Sequence, residues 1–234
     1  MNFLKAEWRK LAIINYEISP EILLPYLPKG TELDFYKGRC YVSLVGFMFL
    51  NTKLLGLPIP FHRNFEEVNL RFYVKKKENG VWKRGVVFIK EIVPKPALSL
   101  IANAVYKENY HTMPMKNEIH ESGDELLIRY SWKDKSWHSI EIMADSTAKP
   151  MEENSEFEFI TEHYFGFTQK ENTTSEYEVC HPKWECYTIK DHQLDIDFQK
   201  IYGNDFKCLN HQEPVSVMLA EGSEIQVKIK KYIS

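Results

Sequence analysis

The chain has 234 residues, of which 44% are hydrophobic and 27% charged, and its net charge is −3. Both fractions are close to the averages of globular domains, which argues against disorder. The small acidic balance gives no support for binding to nucleic acid or to an anionic membrane. Charged residues interrupt the N-terminal segment, so it does not resemble a signal peptide, and no apolar run is long enough to span a bilayer. We expect a cytoplasmic protein with one domain over 1–234; an alternative boundary lies near 147–154.

The four cysteines form no CxxC pair, which lowers the expectation of a zinc site. Cys180 and Cys186 flank His181 in "CHPKWEC", a spacing that fits zinc ligation poorly. We expect reduced thiols, no metal and no cofactor.

The N-terminal third is predicted to form a strand, a short helix and a hairpin. Residues 10–18, "KLAIINYEI", have the β-branched and aromatic content of a strand. Ser19 and Pro20 suit the N-cap and first position of a helix that Pro25 keeps short. Residues 33–51 are predicted to form a hairpin around Lys37–Gly38, whose second arm is apolar on both faces and should be deeply buried.

The middle of the chain contains the strongest hairpin signal. Two strand-like runs flank Asn79–Gly80, the dipeptide preferred in a two-residue type I′ turn. Apolar residues then recur at helical spacing and predict an amphipathic helix. These residues are Leu98, Ile101, Ala102, Val105 and Tyr106.

The rest of the chain is predicted to be mostly strands. They fall in "DELLIRYSW", "HSIEIMAD", "SEYEVCHPKWECYTI" and "EIQVKIKKY". Helical turns are expected at the start of "EFITEHYFGFTQ" and the end of "DHQLDIDFQKIYG". The predicted fold is α+β, mainly antiparallel β with two or three helices, built as a barrel or a strongly bent sheet.

A two-residue turn at Asn79–Gly80 predicts the register of the hairpin. It pairs Arg71 with Phe88, Asn69 with Lys90, Val68 with Glu91, and Glu67 with Ile92. Side chains alternate between the faces of a strand, so Lys90 would join Glu67, Asn69 and Arg71 on a polar face. Glu91 would then lie alone on an apolar face. There desolvation raises the pKa of a carboxyl, which makes Glu91 a candidate general acid or base.

In an alternative interpretation, Lys90 and Glu91 have only structural roles. One β-bulge, for example at Gly85, would exchange the faces beyond it and place Glu91 with Glu67 and Arg71 as an ion pair. Lys90 could likewise serve only to neutralise Glu67.

Several segments together resemble the uncharacterised DUF2071 family of YqjF-like proteins, which belongs to the acetoacetate decarboxylase-like superfamily. They are "NYEISPEILLPYLPKGTELDFYKGRCYVSLVGFMF", "IPFHRNFEEVNLRFYV", "GVVFIKEIVPKPA" and "HPKWECY". The resemblance covers most of the chain. It implies a closed antiparallel β-barrel with a flanking sheet and helices, and a ligand cavity inside the barrel.

The resemblance also implies a catalytic hypothesis. In acetoacetate decarboxylase a lysine with a depressed pKa forms a Schiff base with the keto acid. Glu91 in "IKEI" matches the glutamate of that motif, and the lysine doublet is replaced by single lysines, Lys95 in "VPKP" and Lys116 in "MPMK". A homo-oligomer is expected from the relatives.

Residues outside the hairpin offer further candidates. His62 and Arg63 lie on a Pro-bounded loop where Arg could bind a ligand carboxylate, although a plain surface loop explains them as well. His163 and His181 stand beside aromatic residues, which indicates aromatic packing.

Two functions remain open. In the first, the protein is a lyase-like enzyme on a small keto or carboxylic acid, with Glu91 as acid or base and Arg71 or Arg63 as the carboxylate anchor. In this reading Lys116 or Lys95 would supply the amine, with Glu67, Asn69, Lys90 and His62 completing the binding site. In the second, the barrel binds such a ligand without chemistry, as a carrier or sensor.

Overall fold

The structure is a computed structural model of the chain and describes residues 2–58, 60–105, 108–170 and 173–233. The strands are β1 Asn2–Glu17, β2 Glu32–Leu33, β3 Tyr41–Leu54, β4 Leu57–Pro58, β5 Phe65–Glu78, β6 Val81–Val93, β7 Tyr110–Thr112, β8 Met115–Ser122, β9 Glu125–Lys133, β10 Trp137–Asp145, β11 Lys149–Pro150, β12 Phe165–Lys170, β13 Thr173–Cys180, β14 Glu185–Cys186, β15 Ile189–Asp195, β16 Ser216–Lys228 and β17 Lys231–Ile233. The helices are α1 Pro20–Leu23, α2 Pro96–Val105, α3 Glu156–Thr161 and α4 Phe198–Tyr202, with 3₁₀ segments at Leu24–Tyr26 and Asn204–His211.

Seven strands close into a barrel in the order β16-β1-β3-β5-β6-β12-β13, and β13 pairs with β16 to complete the ring. All neighbours in the ring are antiparallel except β6 and β12, which run parallel, so the barrel is mixed. The short strand β7 also runs parallel to β6. The closed barrel implied by the family resemblance is therefore confirmed, and closure leaves the ring without an open edge.

A second, four-stranded antiparallel sheet has the order β15-β10-β9-β8 and packs against the outside of the barrel. Gly46 in β3 marks a close approach, since a Cβ added there would lie 2.8 Å from the Tyr130 ring. A hydrophobic core fills the space between the two layers. Its barrel-side members include Val68, Leu70 and Phe72, and its sheet-side members include Ile128, Trp132 and Ile142. No helix within the described ranges is both long and apolar enough to cross a bilayer.

Most predicted elements are present with shifted bounds. Helix α1 begins at Pro20 with Ser19 as N-cap, and Pro25 lies in the 3₁₀ turn that ends it. Strand β3 is buried along most of its length, as its sequence predicted. Helix α2 is present as predicted, although Tyr106 lies outside the described residues.

The predicted hairpin over 33–51 is wrong beyond its turn. Lys37 and Gly38 do form a tight turn with positive φ angles of 48° and 83°, closed by one bridge between Tyr36 and Arg39. Strand β2, however, pairs with β5 and not with β3. Both edges of β3 are already occupied by β1 and β5, so no edge remains for β2.

The Asn79–Gly80 hairpin is confirmed, with φ angles of 50° and 82° that are typical of a type I′ turn. The predicted register holds from Glu78–Val81 to Arg71–Phe88 and then shifts by one residue. Ile89 is the extra residue of a β-bulge, so Leu70 pairs with Lys90, and Asn69 pairs with Glu91. The predicted pairs Asn69–Lys90, Val68–Glu91 and Glu67–Ile92 are wrong. The alternative prediction of a β-bulge is confirmed, but the bulge is at Ile89 and not at Gly85.

Candidate functional site

The barrel encloses a cavity of about 150 Å³ whose wall is mostly apolar. Aromatic side chains form much of the wall. They include Trp8, Phe47, Phe49, Phe65, Phe88 and Trp184. Leu98 and Ala102 of α2 also line the cavity, which places this helix over the barrel interior. A mostly apolar cavity with a few grouped polar side chains is the usual form of a small-molecule site.

Four polar side chains of the cavity come from the β5–β6 hairpin. Glu67, Asn69 and Arg71 alternate along β5 with residues of the outer core, so all three point into the barrel. The bulge at Ile89 turns Glu91 to the same side, where it is 2% exposed. The expectation that Glu91 stands alone on an apolar face is therefore wrong, because the bulge places it opposite Asn69.

The bulge is held by Asn109, which precedes β7. Its side-chain amide donates to the carbonyl of Ile89 at 2.6 Å, and its own carbonyl accepts from the Glu91 amide at 3.0 Å. These two bonds position the neighbouring residue, Glu108, beside Glu91. Glu67, Glu91 and Glu108 then form what we term the acid cluster.

Glu67 is the member of the acid cluster with the clearest hydrogen bonds. Its carboxyl accepts from the Asn69 amide at 3.0 Å and from the Tyr110 hydroxyl at 3.1 Å. Burial raises the pKa of Glu67 to about 7, because it outweighs the two hydrogen bonds and the attraction of Arg71. Near neutral pH this carboxyl is therefore present in both protonation states, which suits a general acid or base.

Glu91 and Glu108 share a hydrogen bond between their carboxyl groups. Burial and the neighbouring carboxyls raise the pKa of Glu91 well above its usual range. Burial also raises the pKa of Glu108, but hydrogen bonds from Thr168 and Tyr177 oppose it. Because two close carboxyls cannot both ionise easily, the pair retains a proton between them.

Arg71 is the cation of the cavity wall and is 9% exposed. One Nη donates to the carbonyl of Ile160 in α3 at 3.4 Å, and the guanidinium lies 5.7 Å from the centre of the Tyr73 ring. Its Nε has no hydrogen-bond partner among the described residues. A buried guanidinium with a free donor suits a carboxylate, which Arg recognises through paired hydrogen bonds.

Lys90 does not join this group. The bulge directs its side chain to the outer side of the barrel, where it donates to the carbonyl of Ile201 and lies 5.9 Å from the Tyr202 ring. The predicted diagonal contact with Glu67 is therefore wrong. Burial lowers the pKa of Lys90 from its ordinary value.

The other predicted residues also lie outside the cavity wall. Lys116 is exposed on β8, 4.7 Å from the Trp137 ring, and Lys95 donates to the carbonyl of Phe61. Arg63 is exposed and donates to Asn51 at 3.2 Å. His62 lies 2.8 Å from the carbonyl of Pro60. The structure thus groups Glu67, Asn69, Arg71 and Glu91 and separates the rest from them.

Polar residues beyond those of the hairpin also line the cavity. Glu108 and Tyr110 reach it because β7 runs beside β6, and a three-residue parallel strand leaves no periodic signal. His163 was assigned to aromatic packing. It does pack on Tyr73 and Phe159, with ring centres 4.8 and 5.1 Å away, but it also lines the cavity. His181 likewise stacks on an aromatic ring, that of Trp184 at 4.2 Å, and also lines the cavity.

Among the described residues, no three His, Cys, Asp or Glu side chains are arranged to hold a metal ion. The acid cluster itself is held by hydrogen bonds among its own members and their neighbours.

The sequence of this chain is similar to those of known proteins. The model of the DUF2071 family of uncharacterised conserved proteins matches residues 5–224. The uncharacterised protein YqjF of Bacillus subtilis is 28% identical over 185 residues, which cover 77% of this chain and 74% of YqjF.

Solved structures with the same fold include acetoacetate decarboxylase from Legionella pneumophila. It has a TM-score of 0.68 at 14% identity, and the match covers 99% of this chain and 87% of the decarboxylase chain. The enduracididine biosynthesis enzyme MppR, with HEPES buffer bound, has a TM-score of 0.70 at 10% identity. The match covers 100% of this chain and 89% of the MppR chain. At such identities the likeness shows the fold alone. The chain therefore belongs to the DUF2071 family and has the acetoacetate decarboxylase-like fold.

Proposed function

We propose that the protein binds a small keto acid in the barrel cavity and moves a proton on the carbon next to its keto group. The observation that carries this proposal is the convergence of Arg71 and the acid cluster on one mostly apolar cavity. The cavity volume of about 150 Å³ suits a molecule of a few heavy atoms.

Arg71 supplies the binding contact. Its unpartnered Nε and its position in the wall let it donate to the ligand carboxylate. The apolar wall holds the remaining carbon atoms and excludes water, which strengthens the contact between the two charges. Among the fold neighbours, a structure of MppR is described as complexed with pyruvate, a keto acid with a carboxylate of this kind.

The acid cluster supplies the proton transfer. Ionised Glu67 accepts the proton of the C–H bond next to the keto group, and the electron pair of that bond forms the C=C bond of an enol. Protonated Glu91 donates a hydrogen bond, and then its proton, to the keto oxygen. In the reverse step Glu67 returns a proton to carbon, and Glu91 recovers its proton from the enol oxygen as the C=O bond re-forms. Burial raises the pKa of both carboxyls, and the proposed mechanism uses Glu67 as the base and Glu91 as the acid.

A lysine imine is not part of this mechanism. The described residues that line the cavity include no lysine, and Lys116 and Lys95 lie outside the wall. Loss of carbon dioxide from a 3-keto acid remains compatible with the same groups, because donation by Glu91 to the keto oxygen also stabilises the enol that decarboxylation leaves.

Nuclear magnetic resonance in D₂O tests the proposal. Pyruvate, 2-oxobutanoate and acetoacetate are incubated with the protein, and deuteration next to the keto group and release of acetone are recorded. We expect deuteration of at least one keto acid above the protein-free rate and a loss of about 100-fold or more in Glu67→Gln. Lys116→Ala is the matched control outside the cavity and should exchange at the unmodified rate. A lysine adduct trapped with borohydride would overturn the imine-free mechanism.

The apolar wall favours a second candidate, a carrier or sensor that binds the keto acid without chemistry. Calorimetric binding measurements separate the two. Binding that depends on Arg71, together with exchange no faster than the protein-free rate, supports the carrier or sensor. If no keto acid binds, both candidates fail.

A further inference from the structure

His163 lies at the cavity wall between α3 and β12, with 8% of its surface exposed. Its Nε2 is 3.2 Å from a carboxylate oxygen of Asp34, and the same oxygen accepts from Nε of Arg84 at 2.7 Å. Burial acts to raise the pKa of Asp34, but the bonds from His163 and Arg84 outweigh it and hold the pKa below its ordinary value. Asp34 is therefore an acceptor, and Nε2 must carry the proton.

This arrangement makes Nδ1 of His163 a hydrogen-bond acceptor. Burial lowers the pKa of His163 to about 4, so the ring is neutral near pH 7. Nδ1 is buried and has no hydrogen-bond partner among the described residues. Buried side-chain acceptors are usually paired, so an unpaired one beside a cavity points to a ligand donor.

The unpaired atoms are concentrated at this cavity. Ten buried side-chain nitrogen or oxygen atoms in the described residues have no partner, and six belong to residues of the cavity wall. The six are Trp8 Nε1, Thr52 Oγ1, Asn69 Oδ1, Arg71 Nε, Glu91 Oε2 and His163 Nδ1. If the unpaired atoms were distributed at random, they would not be concentrated at one cavity. Their grouping here indicates a ligand with several polar groups.

His163 and Arg71 are close neighbours within this set. The guanidinium of Arg71 lies 5.7 Å from the centre of the Tyr73 ring, and the His163 ring lies 4.8 Å from the same centre. Arg71 also donates to the carbonyl of Ile160, three residues before His163. Both side chains therefore lie beside Tyr73 in the wall of the same cavity.

We infer that Nδ1 of His163 forms a second polar subsite that accepts a hydrogen bond from a hydroxyl group of the ligand. The inference rests on the proposed function and narrows its substrate class to hydroxylated keto acids. A hydroxyl fits better than an ammonium group, because Arg71 and Arg84 both act on His163 as nearby positive charges. His163 takes no part in the chemistry and determines specificity.

Calorimetry with two matched ligand pairs tests this subsite. The pairs are pyruvate with 3-hydroxypyruvate and 2-oxobutanoate with 4-hydroxy-2-oxobutanoate. We expect the hydroxylated member of at least one pair to bind about 10-fold more tightly, since an analogue without the hydroxyl leaves Nδ1 unpaired. His163→Phe keeps the ring volume and removes the acceptor, so the two members should then bind equally. His163→Asn keeps an amide oxygen near the position of Nδ1 and should recover part of the preference.

A second measurement does not depend on a folded variant. Nitrogen-15 resonances of His163 in the unmodified protein should show a neutral ring protonated at Nε2, and Nδ1 should shift when the hydroxylated ligand binds. A proton on Nδ1 in the free protein would overturn the subsite. Keto acids that bind equally with and without the hydroxyl would overturn it too, while leaving the proposed function intact. Failure of every keto acid to bind would instead overturn the proposed function.

Discussion

The two faces of the β5–β6 hairpin differ in composition, although alternating residues of the same two strands form both. The outer face carries Val68, Leu70 and Phe72 into the core beneath the second sheet. The inner face carries Glu67, Asn69 and Arg71 to the cavity. The outer face accounts for stability through apolar burial, whereas the inner face keeps unpaired and partly protonated groups that cost stability. Such a contrast is expected where one strand serves both core and site.

The largest expected effect is on the outer face. Phe72 is fully buried between the barrel and the second sheet. Phe72→Ala should lower the free energy of unfolding by about 3–5 kcal/mol, because it removes apolar contacts and leaves a cavity. Urea unfolding measures the loss, and Phe72→Leu should lose much less. A loss below about 1 kcal/mol would show that this face is not the stabilising one.

The second prediction concerns the inner face and pH. The folded-state pKa of Glu67 is raised from 4.5 to about 7, so the folded protein binds a proton that the unfolded chain has released. The stability that this proton confers is full below pH 4.5 and is lost as the pH rises to about 7. Glu67→Gln does not titrate, so between pH 4.5 and 8 it should gain on the order of 1–3 kcal/mol relative to the unmodified protein.

Glu78 provides the matched control at the far end of the same strand. Its pKa is lowered by hydrogen bonds from Lys83 and Lys76, so its contribution has the opposite sign and is lost as the pH falls. Glu78→Gln should therefore show no relative gain toward high pH when unfolding is measured across the same range. An equal gain in both variants would contradict a special environment on the inner face.

The third prediction addresses the bulge that joins the two faces. Asn109→Ala removes the side-chain donor to the carbonyl of Ile89. The expected cost is about 1–2 kcal/mol in urea unfolding, with faster hydrogen exchange at the Glu91 amide. Asn117→Ala is the control, since Asn117 donates to Glu66 at 3.2 Å away from the bulge. Equal exchange at Glu91 in both variants would show that Asn109 does not hold the bulge.

The smallest expected effect is that of Lys116→Ala. Lys116 is exposed and lies near the Trp137 ring, a contact worth about 0.5–1 kcal/mol at most. Stability should change by no more than this amount, and keto-acid binding measured by calorimetry should not change. A loss of keto-acid binding would show that Lys116 contributes to the site although it lies outside the cavity wall.

The sequence by itself determined the features that depend on neighbouring residues. Asn79–Gly80 specified the turn because few residues tolerate two positive φ angles, and alternation placed Glu67, Asn69 and Arg71 on one face. The motifs of four segments taken together also indicated the family, which the family model confirms over residues 5–224.

Only the tertiary structure decided the composition of the site. The bulge at Ile89 depends on Asn109, which reaches it because β7 lies beside β6, and this docking brings Glu108 and Tyr110 to Glu91. His163 lies in the cavity wall with its Nε2 beside Asp34, a partner 129 positions away in the chain. Turn chemistry and alternation act over a few residues, whereas bulge position and buried charge depend on which distant segments pack together.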